Sequence, residues 1–350
     1  QITAFYDFTG TRTPSSWRDQ SQPYDDYGHG THISSLIANQ GKEKGEYQGV
    51  APGAHLIGLK VLDASGNGRA SNVIAAIDFA VRHKNQLDID VINLSLGHPI
   101  FESAATDPLV QAVEHAVRHG IVVVASAGNF GMNPKTHQVG YGGITSPGNS
   151  PSAITAGAAD TKQTVRRDDD VVAAFSSRGP AWIDGLAKPD VVAPGVGEVA
   201  RAAKASRRYQ LFPQALIDDG YDVKDFAALS GTSMAAAVTS GVVALVLEAN
   251  HALTPNAVKA AMEYSATPLS EGKNSLYDAL TQGLGEVNGA GAVALAKAIN
   301  PSVAWGQPWI TVPVEPFTTF DRQPTAWAQN IVWGNYYVGG KARELEAGMV

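Results

Sequence analysis

Short runs of branched apolar residues at 56–62, 91–96 and 121–125 alternate with longer segments, 72–84 and 107–119, whose apolar positions recur every three or four residues. The short runs read as strands covered on both faces, and the longer ones predict amphipathic helices. Strand and helix alternating in that order call for parallel pairing through right-handed crossovers. The fold class expected is therefore α/β, a doubly wound, mainly parallel sheet with helices on both faces. A further strand is expected to end at 189–195, a long irregular connection to fill 196–229, and helices to follow at 254–265 and 290–299. Beyond Pro301 the composition shifts to Trp, Pro, Thr and Val. That shift predicts a C-terminal extension, 300–350, of strands carrying Trp305, Trp309, Trp327 and Trp333, appended to a main domain of residues 1–299.

The uncharged stretch 226–247 is long enough to cross a bilayer, yet Gly231, Thr232, Ser233, Thr239, Ser240 and Gly241 interrupt it. Such small-residue spacing suits a helix packed inside a globular core, and no membrane partner is expected. A net charge of -7 with few paired cations argues against a nucleic-acid surface, so none is expected either. The chain has no cysteine, which removes disulfides and thiolate chemistry.

In doubly wound sheets ligands lie outside the carboxyl ends of the strands. Ser95-Leu96-Gly97 and Ser126-Ala127-Gly128-Asn129 both fall there, so one edge collects two candidate loops. Ser233 follows a glycine turn at the start of the long apolar run. A helix N-terminus offers positive potential and free N–H groups to a developing oxyanion, although the same groups also favour a plain capping serine. A serine hydroxyl needs a base, and His29, between Gly28 and Gly30, is the candidate. His29 and His32 lie three residues apart and would share a helical face, which is the spacing of a metal pair; no Glu completes a zinc-binding pattern, and His32 reads as a packed residue. Asn129 can donate its amide into the strand-edge cleft or simply form a turn.

Taken together and in this order, Gly28-His29-Gly30-Thr31-His32, Ala125 to Asn129, and Ser230-Gly231-Thr232-Ser233-Met234-Ala235 resemble the subtilisin-like serine protease family, from about Asp25 to Ile299. The resemblance implies a serine endopeptidase in which Ser233 is the nucleophile, His29 the general base and Asn129 the side-chain oxyanion donor. It also implies that an extended peptide lies between Gly66-Asn67-Gly68 and Ser95-Leu96-Gly97 as an added strand. Ser126, Ala127, Gly128 and Gly148 would line the first specificity pocket, whose floor in the family carries a cis proline near Gly148 to Pro151. Protein or peptide substrates are expected, with no cofactor for the chemistry. The resemblance makes structural calcium possible without naming ligands, the acidic run Asp168 to Asp170 being a guess. An extracellular location is expected, with signal and propeptide outside this chain. Ala237 departs from the family, which usually has proline there.

The larger departure concerns the carboxylate that orients the histidine. In the family it ends the first core strand, some thirty residues before the histidine, and is followed by Ser or Thr and then Gly. Asp7 precedes His29 by only 22 residues and its glycine comes one place late. Residues 2–7 look more like the next strand of the family, and Asp25 and Asp26 sit too close to His29. The expectation is that the first strand and its Asp lie on residues absent here, on a cleaved N-terminal fragment that stays bound. A catalytically impaired peptide-binding chain is the alternative. A serine esterase is a remoter one, since Ala235 stands where its elbow needs glycine.

Overall fold

The computed structural model describes residues 2–10, 13–41, 47–217, 225–272, 275–304 and 306–332, and the backbone of two further strands, Tyr336–Gly339 and Glu344–Ala347. Strand β1 (Ile2–Asp7) leads through a loop to helix α1 (His29–Ala38), followed by β2 (Leu56–Lys60), α2 (Ala70–Arg82), the short α3 (Lys84–Leu87) and β3 (Val91–Leu94). Helix α4 (Pro108–Arg118) is capped by Asp107, which accepts from the backbone N–H groups of Leu109 and Val110. Strands β4 (Val122–Ser126), β5 (Ile154–Asp160), β6 (Val171–Val172) and β7 (Val191–Pro194) complete the central region.

The sheet is interrupted. Strands β3, β4, β5 and β7 pair in parallel, with β6 antiparallel on the end of β5. Strand β2 pairs in parallel with β1 alone, in a separate two-stranded sheet. Among the described residues nothing pairs with the second edge of β2 or of β3. One continuous core nevertheless underlies both sheets: Tyr6, Phe8 and Val61 pack with Leu94, Val123 and Ala125 beneath α2 and α4. Every residue of β2 is only half-buried, as are Val91, Ile92 and Asn93, whereas β4 is buried throughout. Among the described residues the sheet is thus left with two open, half-buried edges, one on β2 and one on β3.

The stretch 196–229, expected to be irregular, contains a small antiparallel sheet: β8 (Glu198–Arg201), β9 (Leu216–Ile217) and β10 (Phe226–Leu229), in the order β8-β10-β9, with the short helix α5 (Arg207–Leu211) between. Strands of two to four residues carry too little period to be read from sequence. The uncharged stretch becomes α6 (Thr232–Ala249), sunk between the sheet, α1, α7 (Pro255–Ser265) and α9 (Gly289–Ala298), which follows the single turn α8 (Ala279–Gln282). By length and composition alone it could cross a membrane, but Val242, Val243, Val246 and Leu247 are packed in the core of this fold.

Beneath β5 and β7 lies a buried charge cluster. Lys188 and Lys259 each reach Asp190, at 2.8 and 2.9 Å, and Lys259 also holds the carbonyls of Pro151 and Ala153. Burial lowers the Lys188 ammonium to about 8 and raises the Glu263 carboxyl to about 8. The hairpins β11–β12 (Ser270–Gly272, Ser275–Leu276) and β13–β14 (Phe317–Phe320, Gln323–Ala326) lie outside this core. After the second hairpin, Trp327 is buried and donates to Thr318, and the Val332 N–H donates to Glu263. Trp309 is exposed, and Trp305 and Trp333 lie outside the described residues.

Candidate active site

Ser233 is the second residue of α6, whose N-cap is Gly231, so it is not the capping serine. Its carbonyl accepts from the Ser95 hydroxyl at 2.8 Å, and its own hydroxyl lies 3.4 Å from the Ser95 carbonyl. These two contacts fix the start of α6 against the carboxyl end of β3. Thr232 fixes it against the end of β4, because its N–H donates to Asn129 Oδ1 at 2.9 Å and its hydroxyl accepts from the Gly128 N–H at 3.1 Å. With Oδ1 held in this way, the amide nitrogen of Asn129 is left without a protein partner among the described residues, on an exposed side chain beside Gly231. Gly128 has φ +108°, and a Cβ there would crowd Ser177 and Thr145 at 2.8 Å, so glycine is required. Ser177 secures the same turn by donating its N–H to the Gly128 carbonyl and accepting from Phe130. Thr232 and Ser177 were not singled out in the sequence. Thr232 stands next to the candidate nucleophile and could be suspected on that ground; nothing in the sequence around Ser177 ties it to this turn.

His29 opens α1, which packs on α6 through Ile33, Leu36, Met234 and Ala237. Ile33 lies one turn beyond His29, and Met234 and Ala237 lie within the first turn beyond Ser233. Both helix N-termini therefore open at one end of the pair. Ala237, in the place where the family usually has proline, is fully buried in that contact. The loop before His29 is tied down by Asp25, which accepts from the N–H groups of Gly28 and Thr31 at 2.6 and 2.7 Å. Asp26 pairs with Lys60 of β2 at 2.6 Å. Neither carboxylate bonds to the His29 ring, and no other described residue does. Burial lowers the His29 imidazole to about 4, and the charges of Arg208 and His32 push in the same direction. His32 is fully buried, its Nε2 facing the Glu198 and Ala227 carbonyls at 3.1 Å, and is a packing residue.

Asp7 is engaged elsewhere. Its carboxylate accepts from the Thr9 N–H and hydroxyl and from the Tyr24 hydroxyl, at 2.6–2.7 Å. Burial works to raise it, but those hydrogen bonds and Lys60 outweigh burial and hold it below the usual carboxylate range.

The two segments expected to wall the groove are each held by local contacts. Asp63 closes a turn by accepting from the Ser65 and Asn67 N–H groups, and Gly66, at φ +76°, lies against the Tyr27 ring. In the second segment, His98 and Ser146 exchange backbone hydrogen bonds, which aligns Ser95-Leu96-Gly97 with the segment leading to Gly148. The Ser126 hydroxyl reaches the Leu96 carbonyl at 3.4 Å, Ala127 is fully buried, and the Gly148 carbonyl accepts from Thr155. The cis proline lies one residue earlier than the segment singled out: the cis peptide is Ser146–Pro147, while Pro151 is not cis. Asp168 and Asp170 turn to Arg166 and Arg167, and Asp169 to Thr164. Among the described residues no three carboxylate or imidazole side chains gather as metal ligands.

At the carboxyl end of the sheet a serine and an amide are thus fixed together, with an imidazole at the start of the adjacent helix α1, an arrangement that fits a serine-hydrolase class of site. The Subtilase family model matches residues 7–287, and the chain belongs to that family. It is 37% identical over 280 residues to the serine protease AprX of Bacillus subtilis (strain 168), covering 78% of this chain and 59% of that protein. It is 33% identical to Subtilisin DY of Bacillus licheniformis, over 72% of this chain and 75% of the relative. Among solved structures, Sphericase superposes with a TM-score of 0.63 at 26% identity, over 81% of this chain and 83% of that one. The chain thus spans little more than half the length of AprX.

Proposed function

We propose that this chain provides the nucleophile, base and substrate groove of a secreted serine endopeptidase acting on protein or peptide substrates. Ser233 Oγ attacks the peptide carbonyl while His29 takes its proton. The oxyanion is held by the Asn129 amide and the Ser233 N–H, and His29 then protonates the leaving amine before water reverses the sequence. The observation that carries this reading is the mutual fixing of the Ser233 and Asn129 turns, which leaves the Asn129 amide nitrogen beside Gly231 without a partner among the described residues.

The orienting carboxylate, on this reading, arrives on a strand seated in the slot between β2 and β3. Two contacts support that placement. Lys60 ties the carboxyl end of β2 to Asp26, three residues before His29, and Ser95 ties the carboxyl end of β3 to Ser233. A strand running parallel between them would end between base and nucleophile. Such a strand would also pair the open edges and cover the half-buried residues of β2 and β3.

Labelling with a fluorophosphonate tests the chemistry. Modification at Ser233 that His29→Ala abolishes is expected. Absence of labelling in protein whose slot is filled would leave the peptide-binding alternative, which the missing partner of His29 favours.

A further inference from the structure

The turn carrying α5 leans on the loop before His29, where the Arg207 and Arg208 N–H groups donate to the carbonyls of Asp26 and Tyr27 at 2.9 and 3.1 Å. Ser206 crowds Gly28 from the same side, where a Cβ on Gly28 would overlap its hydroxyl. The Arg208 guanidinium donates to the Tyr27 hydroxyl at 3.2 Å and lies 5.8 Å from the centre of that ring. The Tyr27 ring in turn touches Gly66 of the groove wall and stands 6.4 Å from the His29 ring. Gly66, Tyr27 and Arg208 therefore form one layered wall beside the base.

Among the described residues no carboxylate lies within ion-pair distance of Arg208, although it is half-buried and the chain as a whole is acidic. In the same region the half-buried Lys60, by contrast, is paired with Asp26. A partly desolvated guanidinium with open donors is costly unless something pairs with it, and its planar fork fits a carboxylate.

We infer that Arg208 is a specificity residue that pairs with an acidic side chain on a substrate residue flanking the scissile bond, over His29. The inference rests on the proposed groove and adds to it the chemistry of the preferred substrate. An Asp or Glu there would supply the missing counter-charge, whereas Lys or Arg would meet repulsion in a confined site.

The test is made on the full-length protein with matched peptides carrying Asp, Asn or Lys at either residue flanking the cleaved bond. Asp is expected to exceed Asn in kcat/KM by about fivefold at one of the two positions, with Lys lowest, and salt that shortens the Debye length to about 3 Å should shrink the ratio. Arg208→Gln should bring the Asp/Asn ratio close to one, and Arg208→Glu should invert the Asp/Lys order. Arg207→Gln, which changes the exposed neighbour, should preserve both. The same ratios are read as Kd on the Ser233→Ala protein, so the inference is judged even if turnover is absent. An Asp/Asn ratio near one at both positions overturns it. So does an equal loss on all peptides in Arg208→Gln, which would mean that Arg208 only props Tyr27. Failure of the hydrolase reading shows separately, as no fluorophosphonate on Ser233.

Discussion

The two halves of the site differ in how they are built. On the nucleophile side, β3, β4 and the start of α6 are linked by the Ser95–Ser233, Thr232–Asn129 and Gly128–Thr232 contacts, and the adjoining strand β4 is buried throughout. On the side of the proposed base, Asp25 holds the start of α1, yet the His29 ring has no hydrogen-bond partner among the described residues, and β2 and β3 each present an edge unpaired among them. The proposed oxyanion donors are local, on residues that neighbour one another across paired strands. On the proposed reading the base awaits a piece of sheet between β2 and β3, so the first half would be preorganised and the second conditional.

The largest expected effect tests the conditional half. Adding a short β-branched strand that ends in Asp-Ser-Gly should raise kcat/KM by about 10⁴-fold, the order a triad carboxylate supplies, and the same strand ending in Asn should not. Equal stimulation by both would mean that the strand merely stabilises the fold. Next, Asn129→Leu in the filled protein should lower kcat by about 10²–10³-fold with little change in KM, measured by steady-state kinetics. Thr232→Val sharpens the comparison, because it keeps shape while leaving the buried Gly128 N–H unpaired and loosening Asn129. A loss of about tenfold in kcat is expected, and none would show that the turn holds without it.

The smallest effect lies away from the site, in the buried charge cluster. Glu263 has its folded-state carboxyl raised from 4.5 to about 8, so its contribution to stability is full below pH 4.5 and is lost as pH climbs toward 8. Glu263→Gln removes that loss. The Tm difference, variant minus parent, should therefore grow more positive from pH 5 to pH 8 by a few degrees, as followed by calorimetry.

Much of this architecture is legible in the chain. Buried strands reveal themselves as apolar runs, α2 and α4 by their period, and His29, Asn129 and Ser233 because a glycine or a strand end isolates each. The long helix α6 reads as core from its small residues, and it packs so. What pattern could not supply is non-local. Thr232 and Ser177 act through hydrogen bonds to residues about 50 to 104 positions away. Arg208 acquires its setting only when α5 folds back on Tyr27, across 181 positions of sequence. The strands of 198–229 are too short for a period. The interruption of the sheet is a property of pairing, and β2 and β3 look the same in sequence whether or not a strand lies between them.

If His29 gains its carboxylate only when a strand fills the slot, the ring's own titration reports this directly. Following the His29 Cε1 proton by NMR in the 350-residue chain should give a pKa near 4, well below the ordinary 6.5. Binding of the Asp-terminated strand should move it upward, since a nearby negative charge favours the imidazolium, and the Asn-terminated strand should leave it in place. A pKa at or above 6.5 in the chain alone, or the same shift with both strands, would contradict the account.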